Sequence, residues 1–278
     1  MRCVTIFIDY EGVIEVPYRP PLDMNQMTHE ILRVLKDHSA RSTFNVVGKV
    51  AEVHPNLIKR VSDAGHEIAS HSWSHDNVVH LSRNGLRSML LQSRTTLERC
   101  TGKPVDGFRS PWLLKSRELY SSLNDLGFKW VSNSYFNYFP ELYTRPDEQL
   151  QSLIGRKVVY GLSKALWKRY RKMPYRIGNL TEVPMLSAMD GHLLGKLNPD
   201  QPTPRRLIDY AIKSILIEME RTGWYFNINL HDWIIGSENR LEILDKVLET
   251  IRAKYEVEFL PARESLGVLC SENSRSVP

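Results

Sequence analysis

The residue types that hydrolytic chemistry needs fall in a few short stretches of this 278-residue chain. His71-Ser72-Trp73-Ser74-His75 sets two imidazoles four positions apart, the interval that one side of a helical turn presents. Neutral imidazole is a common metal ligand, but a metal site needs at least a third donor. Asp9-Tyr10-Glu11 can supply it. Two carboxylates two positions apart on an extended chain point to one side, while Tyr10 points away. Glu11, His71 and His75 together make a two-histidine, one-carboxylate set with coordination positions left open for water and substrate. Asp9 is then free to take a proton from the attacking water, which suits hydrolysis of an amide or ester. Spacing alone leaves open an exchange of roles, with Asp9 as ligand and Glu11 as base. The blander reading is a polar strand end and two unrelated histidines.

The elements that must position these groups follow from a pattern that switches between period 2 and period 3.6. Residues 4–8, 43–47, 67–70, 105–108, 128–131, 180–183, 224–230 and 257–260 read as strands. Thr28 reads as the N-cap of a helix bearing Ile31, Leu32 and Leu35, and Pro55 opens one that Gly65 closes. Ser82 caps a long helix that Gly102 stops, and further helices are expected over 119–126, over 203–221 and from Leu241 to Ile251. Strands alternating with helices predict an α/β fold with a parallel sheet, and about seven such units favour a barrel. Asp9 and Glu11, His71 and His75, Arg109, and His231 each stand where a strand finishes. In a βα barrel those ends share one face, where catalytic groups gather.

These stretches, in this order, resemble the motifs of the polysaccharide deacetylases, carbohydrate esterase family 4 with the NodB homology domain. Ile8-Asp9-Tyr10-Glu11-Gly12 stands where the family has Asp-Asp-Gly, here as an Asp-x-Glu variant. His71-Ser72-Trp73-Ser74-His75 matches the metal motif His-Ser/Thr-x-x-His. Phe108-Arg109-Ser110-Pro111-Trp112 looks like the Arg-x-Pro motif, and Leu230-His231 stands in place of the late Leu-x-His motif. Asn45-Val46-Val47-Gly48 and Glu182-Val183-Pro184 also look like family stretches. The resemblance implies a distorted (β/α)7-type, NodB-like barrel of parallel strands. It implies Asp9 as general base, held by Arg109, and Glu11, His71 and His75 as ligands of a divalent metal. Zinc suits two histidines and a carboxylate, and cobalt, nickel, manganese or iron could fill the same site. The backbone N–H near Trp112 would stabilise the oxyanion, and His231 would protonate the leaving amine. The implied reaction removes an N-acetyl or N-formyl group from an amino sugar in a glycan or glycan precursor. Two alternatives remain: a same-fold amidohydrolase acting on a non-sugar C–N bond such as a cyclic ureide, and an inactive carbohydrate-binding relative. The family's aspartate-and-tryptophan motif before the final histidine has no convincing match, although Trp130 and Asp232-Trp233 are candidates. Tyr10, Trp73, Trp112 and Trp233 flank the expected site, and their faces could stack on sugar rings.

Composition sets the remaining expectations. A hydrophobic content of 42% with 25% charged residues is ordinary for a globular protein, and no apolar run reaches the roughly 20 residues of a membrane span. Residues 1–268 read as one domain, with a basic insertion at about 134–180 and a polar tail over 269–278. The first residues enter a strand without a secretion-signal pattern, and Cys3, Cys100 and Cys270 are odd in number and far apart. Both point to a reducing, cytoplasmic compartment. The net charge of +5 is local. Residues 155–178 hold Arg156, Lys157, Lys164, Lys168, Arg169, Arg171, Lys172 and Arg176 with no acidic residue, among Tyr160, Leu162, Leu166, Trp167 and Tyr170. A solvated insertion competes here with peripheral contact at an anionic membrane, as a lipid-linked sugar would require. No nucleic-acid motif accompanies the charge, so no nucleic-acid partner is expected.

Overall fold

Arg2–Tyr10 (β1) is the strand around which the sheet is laid. The computed structural model describes residues 1–12, 23–134, 173–186, 190, 205–236 and 238–273. One edge of β1 pairs in parallel with Tyr225–His231 (β8) from Cys3 to Asp9. The other edge is shared in tandem: Val257–Phe259 (β9) pairs with its first residues and Thr43–Val46 (β2) with its last four. Beyond β2 follow Glu67–Ser70 (β3), Gly107–Phe108 (β4), Trp130–Val131 (β5), Leu180–Glu182 (β7) and Tyr175–Ile177 (β6). Every described pairing is parallel except β6 with β7. The expected parallel barrel is thus present, as a curled NodB-like sheet with one antiparallel edge that the sequence pattern did not announce.

The curl brings β8 back toward β7. Asn227 on β8 donates through Nδ2 to the Pro184 carbonyl (2.8 Å) and accepts the Leu186 N–H on Oδ1 (2.8 Å). A side-chain amide stands in for the ladder bonds that would otherwise close the barrel. The helices Met24–Asp37 (α1), Gly48–Val53 (α2), Pro55–Asp63 (α3), Arg83–Thr101 (α4) and Arg117–Asp125 (α5) cover the outside. Arg205–Thr222 (α6), Asp232–Ile235 (α7), Glu238–Lys254 (α8) and Ala262–Asn273 (α9) complete the described set. The core lies between β1, β2, β8 and the helices α1, α3, α6 and α8, and a smaller cluster sits under α4 and α5.

Several local expectations change. Ser82 and Gly102 do bound α4, with Gly102 left-handed at φ +67. The cap of α1, however, is Asp23, whose Oδ1 accepts the Asn25 and Gln26 N–H groups. A carboxylate one turn earlier takes the orphan donors, and Thr28 is buried inside the helix. The helix α2 was not anticipated; it is six residues long with no side-chain cap bond to announce it. The tail expected from 269 is helical as far as Asn273, because Leu269 packs into the main core. Residues 135–172 of the basic insertion lie outside the described residues, and 173–178 lead into and form β6.

Candidate metal centre

The three expected donors converge. Glu11 Oε1 lies 3.5 Å from His71 Nε2 and 3.2 Å from His75 Nε2, and the three ligand atoms fall within 4.8 Å of one another. The local geometry differs from the helical turn that the spacing suggested. Residues 71–75 form a turn in which Ser72 (φ +66) and His75 (φ +57) are left-handed. Asp76 holds it: its Oδ2 accepts the Trp73 and Ser74 N–H groups, and its Oδ1 accepts the Ser74 hydroxyl. The Ser72 hydroxyl accepts the Asp76 N–H in return. Backbone strain of this kind is stored where the surroundings over-determine the conformation.

The donor set fits a divalent cation. His71 Nδ1 lies 2.9 Å from the Arg109 carbonyl, which can only accept, so Nδ1 keeps its proton and Nε2 is the nitrogen turned to Glu11, its lone pair available to a cation once its own proton is given up. Glu11 Oε2 accepts the Trp233 indole N–H at 2.9 Å, which leaves Oε1 toward the two histidines. Burial alone would raise the Glu11 carboxyl, yet its bonds to His71 and His75 hold it well below the usual range. Of the two carboxylates, Glu11 is the one that meets both histidines, while Asp9 is bound by Asn45 and Arg109.

Asp9 sits in a row across three strands, paired in register with Asn45 on β2 and His231 on β8. Its Oδ1 accepts Asn45 Nδ2 at 2.7 Å and the Arg109 guanidinium at 3.1 Å. Burial pushes this carboxyl up, but Arg109, then His71 and His231, outweigh burial and hold it below its ordinary value. Arg109 itself is fully buried, donates to Ser132 Oγ and Asn229 Oδ1 (2.8 Å each) and stacks over Phe7. Asn229 and Asn227 lie on the same face of β8 as His231, and Asn229 Nδ2 donates to Asn227 Oδ1. One polar face of β8 therefore closes the barrel, holds Arg109 and presents His231.

Asp190 is the residue that motif reading missed. Its carboxylate accepts the His231 backbone N–H (2.7 Å) and lies 2.7 Å from His231 Nδ1. Burial pulls His231 down, but Asp190, with Glu11 and Asp9 behind it, pushes it up to about 10. Asp232 is the other omission of role. It is fully buried, and its Oδ1 accepts the Glu11 and Trp233 N–H groups and its Oδ2 that of Gly12. Burial and the neighbouring Glu11 charge push this carboxyl up to about 7, against the pull of those backbone donors.

The four aromatics part company. Tyr10 is removed from the substrate side: it is fully buried, with its hydroxyl on Thr28 Oγ1 at 2.6 Å. Strand alternation sends it to the face opposite Asp9. Trp73 is half-buried against the smaller core cluster, with its indole over Gly48 where a Cβ would come within 2.5 Å. Its packing, not sugar stacking, explains its place. Trp112 and Trp233 stand beside the three donors, against His75 and Glu11 respectively. Trp112 is left-handed (φ +52), 62% exposed, and stands edge-on to His75 with ring centroids 4.4 Å apart. Trp130, the other tryptophan considered, is core: its indole donates to Glu67 Oε1.

The chain is similar to known proteins over part or most of its length. Residues 15–131 match the family model described as polysaccharide deacetylase, a span that includes His71, His75 and Arg109. The peptidoglycan-N-acetylglucosamine deacetylase of Bacillus cereus is 29% identical over 111 residues, 40% of this chain and 38% of that protein. The peptidoglycan deacetylase of Helicobacter pylori is 27% identical over 235 residues, covering 76% of this chain and 77% of its own length. The structure of a provisionally assigned polysaccharide deacetylase from Mycobacterium smegmatis superposes with a TM-score of 0.73 at 19% identity, covering 98% of this chain and 91% of that one.

Proposed function

We propose, from the match of residues 15–131 to the polysaccharide deacetylase family model, that this chain is a metal-dependent hydrolase of that family, which removes an N-acyl group, acetyl or formyl, from an amino sugar in a glycan or glycan precursor. The observation that carries this reading is the convergence of Glu11, His71 and His75 beside a buried carboxylate, Asp9, and a half-buried histidine, His231, on neighbouring strands. A divalent cation at those three donors, most simply zinc, supplies a Lewis acid for the amide carbonyl and acidifies water.

The chain's own residues divide the proton traffic. Both Asp9 hydrogen bonds described fall on Oδ1, so Oδ2 is the oxygen that takes the proton from the attacking water. Arg109 keeps Asp9 ionised and fixes its direction. His231 holds its Nδ1 proton against Asp190 and gives the Nε2 proton to the departing amine. The Trp112 backbone, turned left-handed, is the candidate donor to the oxyanion, and its exposed indole offers an apolar face for a sugar ring. The products are a small carboxylic acid and a free amino sugar. The peptidoglycan-directed relatives support the sugar side of this reading.

The test is release of acetate or formate from a panel of N-acylated sugars, nucleotide sugars and oligosaccharides, with a cyclic ureide alongside. The reading expects product from sugar amides; turnover of the ureide alone would transfer the chemistry to the non-sugar alternative. The proposal extends to a cytoplasmic site of work, for which cell fractionation is the check. It extends also to contact of residues 155–178 with anionic lipid, supported by the local run of basic residues. Vesicle flotation with charge-reversed Lys168 and Arg169 tests that contact, and absence of binding at low salt rules it out.

A further inference from the structure

A glutamate serving where the family has aspartate carries one more rotatable bond, and so has more freedom to lose when it binds a cation. The structure places two consecutive residues, Asp232 and Trp233, against that freedom. Asp232 grips the main chain on both sides of the Glu11 carbonyl: Oδ1 accepts the Glu11 N–H at 3.1 Å and Oδ2 the Gly12 N–H at 2.8 Å. Gly12 is left-handed at φ +60 and turns the chain immediately after the ligand. Trp233 grips the other end, with its indole N–H 2.9 Å from Glu11 Oε2. The Asp232 carboxylate also accepts the Trp233 N–H at 2.8 Å, so the two grips are tied to each other. Both residues follow His231 directly at the end of β8, which puts the proton donor and the ligand's clamp on one tripeptide.

We propose that Asp232 and Trp233 are positioning residues for Glu11: they fix its backbone and commit one carboxylate oxygen, so that Glu11 offers the other, Oε1, to the cation as a single-oxygen ligand. This rests on the metal-centre reading above. Hydrogen bonds to the outer atoms of metal ligands set ligand orientation, and their loss weakens metal affinity about 10–100-fold.

The experiment is calorimetric titration of chelator-treated protein with Zn2+ and Co2+, alongside the thermal midpoint of each metal-free variant. Trp233→Phe keeps the ring and removes the N–H; it is expected to weaken metal binding about 10–100-fold with the metal-free midpoint unchanged. Asp232→Asn, nearly the same shape, is the second variant and carries the same expectation. In a Glu11→Asp background, whose shorter carboxylate loses the indole bond, Trp233→Phe is expected to change affinity little. Wild-type affinity in both single variants, or an equal loss from Trp233→Phe in both backgrounds, overturns the clamp while leaving the metal centre standing. Wild-type protein that binds no metal overturns the metal centre, and the clamp with it.

Discussion

Arg109 does two jobs with different parts of one residue. Its carbonyl fixes the protonated nitrogen of His71, and its guanidinium holds Asp9 Oδ1. The candidate metal ligand and candidate base are therefore registered to each other through a single buried residue. On the opposite flank, His231 and Asp190 form a hydrogen-bonded pair, the candidate acid arm. A proton donor works only while protonated, so if His231 is that donor, activity is lost as pH rises through its pKa, which Asp190, Glu11 and Asp9 push up to about 10. A cation held at Glu11 would cancel that carboxylate's share and bring the alkaline limb below that value. Asp190→Asn removes the foremost upward influence while burial, which pulls downward, remains. The alkaline limb of kcat/KM is expected to move to lower pH by about one to three units. A pH profile with the limb unmoved would place the proton donor elsewhere.

The strand ends carry the site, and the β4–β5 region depends on close packing to hold its place. A Cβ at Gly107 would lie 2.0 Å from the Trp130 indole, which cannot swing aside without losing its buried bond to Glu67. Gly107→Ala is expected to cost about 1–3 kcal/mol through overpacking, seen as a lower urea midpoint at unchanged slope. An unchanged midpoint would show that the strand yields there. This region also shows where sequence legibility stops. The placement of Asp9, Glu11, His71, His75, Arg109 and His231 at or just past strand ends was readable because strand period and strand ends are local signals. The true shape of 71–75 was not, since it depends on Asp76 and on two left-handed residues that no periodicity encodes. Asp190 was hidden for a different reason: it meets His231 across 41 residues, with only the fold to join them. Asp232 grips Gly12 across 220 residues, and proximity to the final histidine marked it without disclosing its role. For Tyr10 the strand alternation already pointed away from the site, and its nearness in sequence to Asp9 and Glu11 was the misleading signal.

At the scale of the molecule, the barrel is closed at one seam by Asn227. Asn227→Ala leaves a buried carbonyl and a buried N–H without their partner and is expected to destabilise the fold by about 2–4 kcal/mol. Chemical denaturation checks this, and a loss under about 0.5 kcal/mol, the scale of an ordinary surface substitution, would mean the seam is held by packing instead. Closure matters to function because the same face of β8 continues through Asn229 to His231, so a slack seam displaces Arg109 and the proton donor together. The whole arrangement of metal donors on one side of the barrel mouth, base on β1 and acid on β8 stands or falls on one measurement. Chelator-treated protein is given an N-acetylated amino-sugar oligomer, and released acetate is followed as Zn2+ is added back. The account predicts no release without metal, saturation near one equivalent, and a loss of at least about 100-fold in Asp9→Asn, which lacks the base. Full acetate release under chelation, or from His71→Ala, would contradict it.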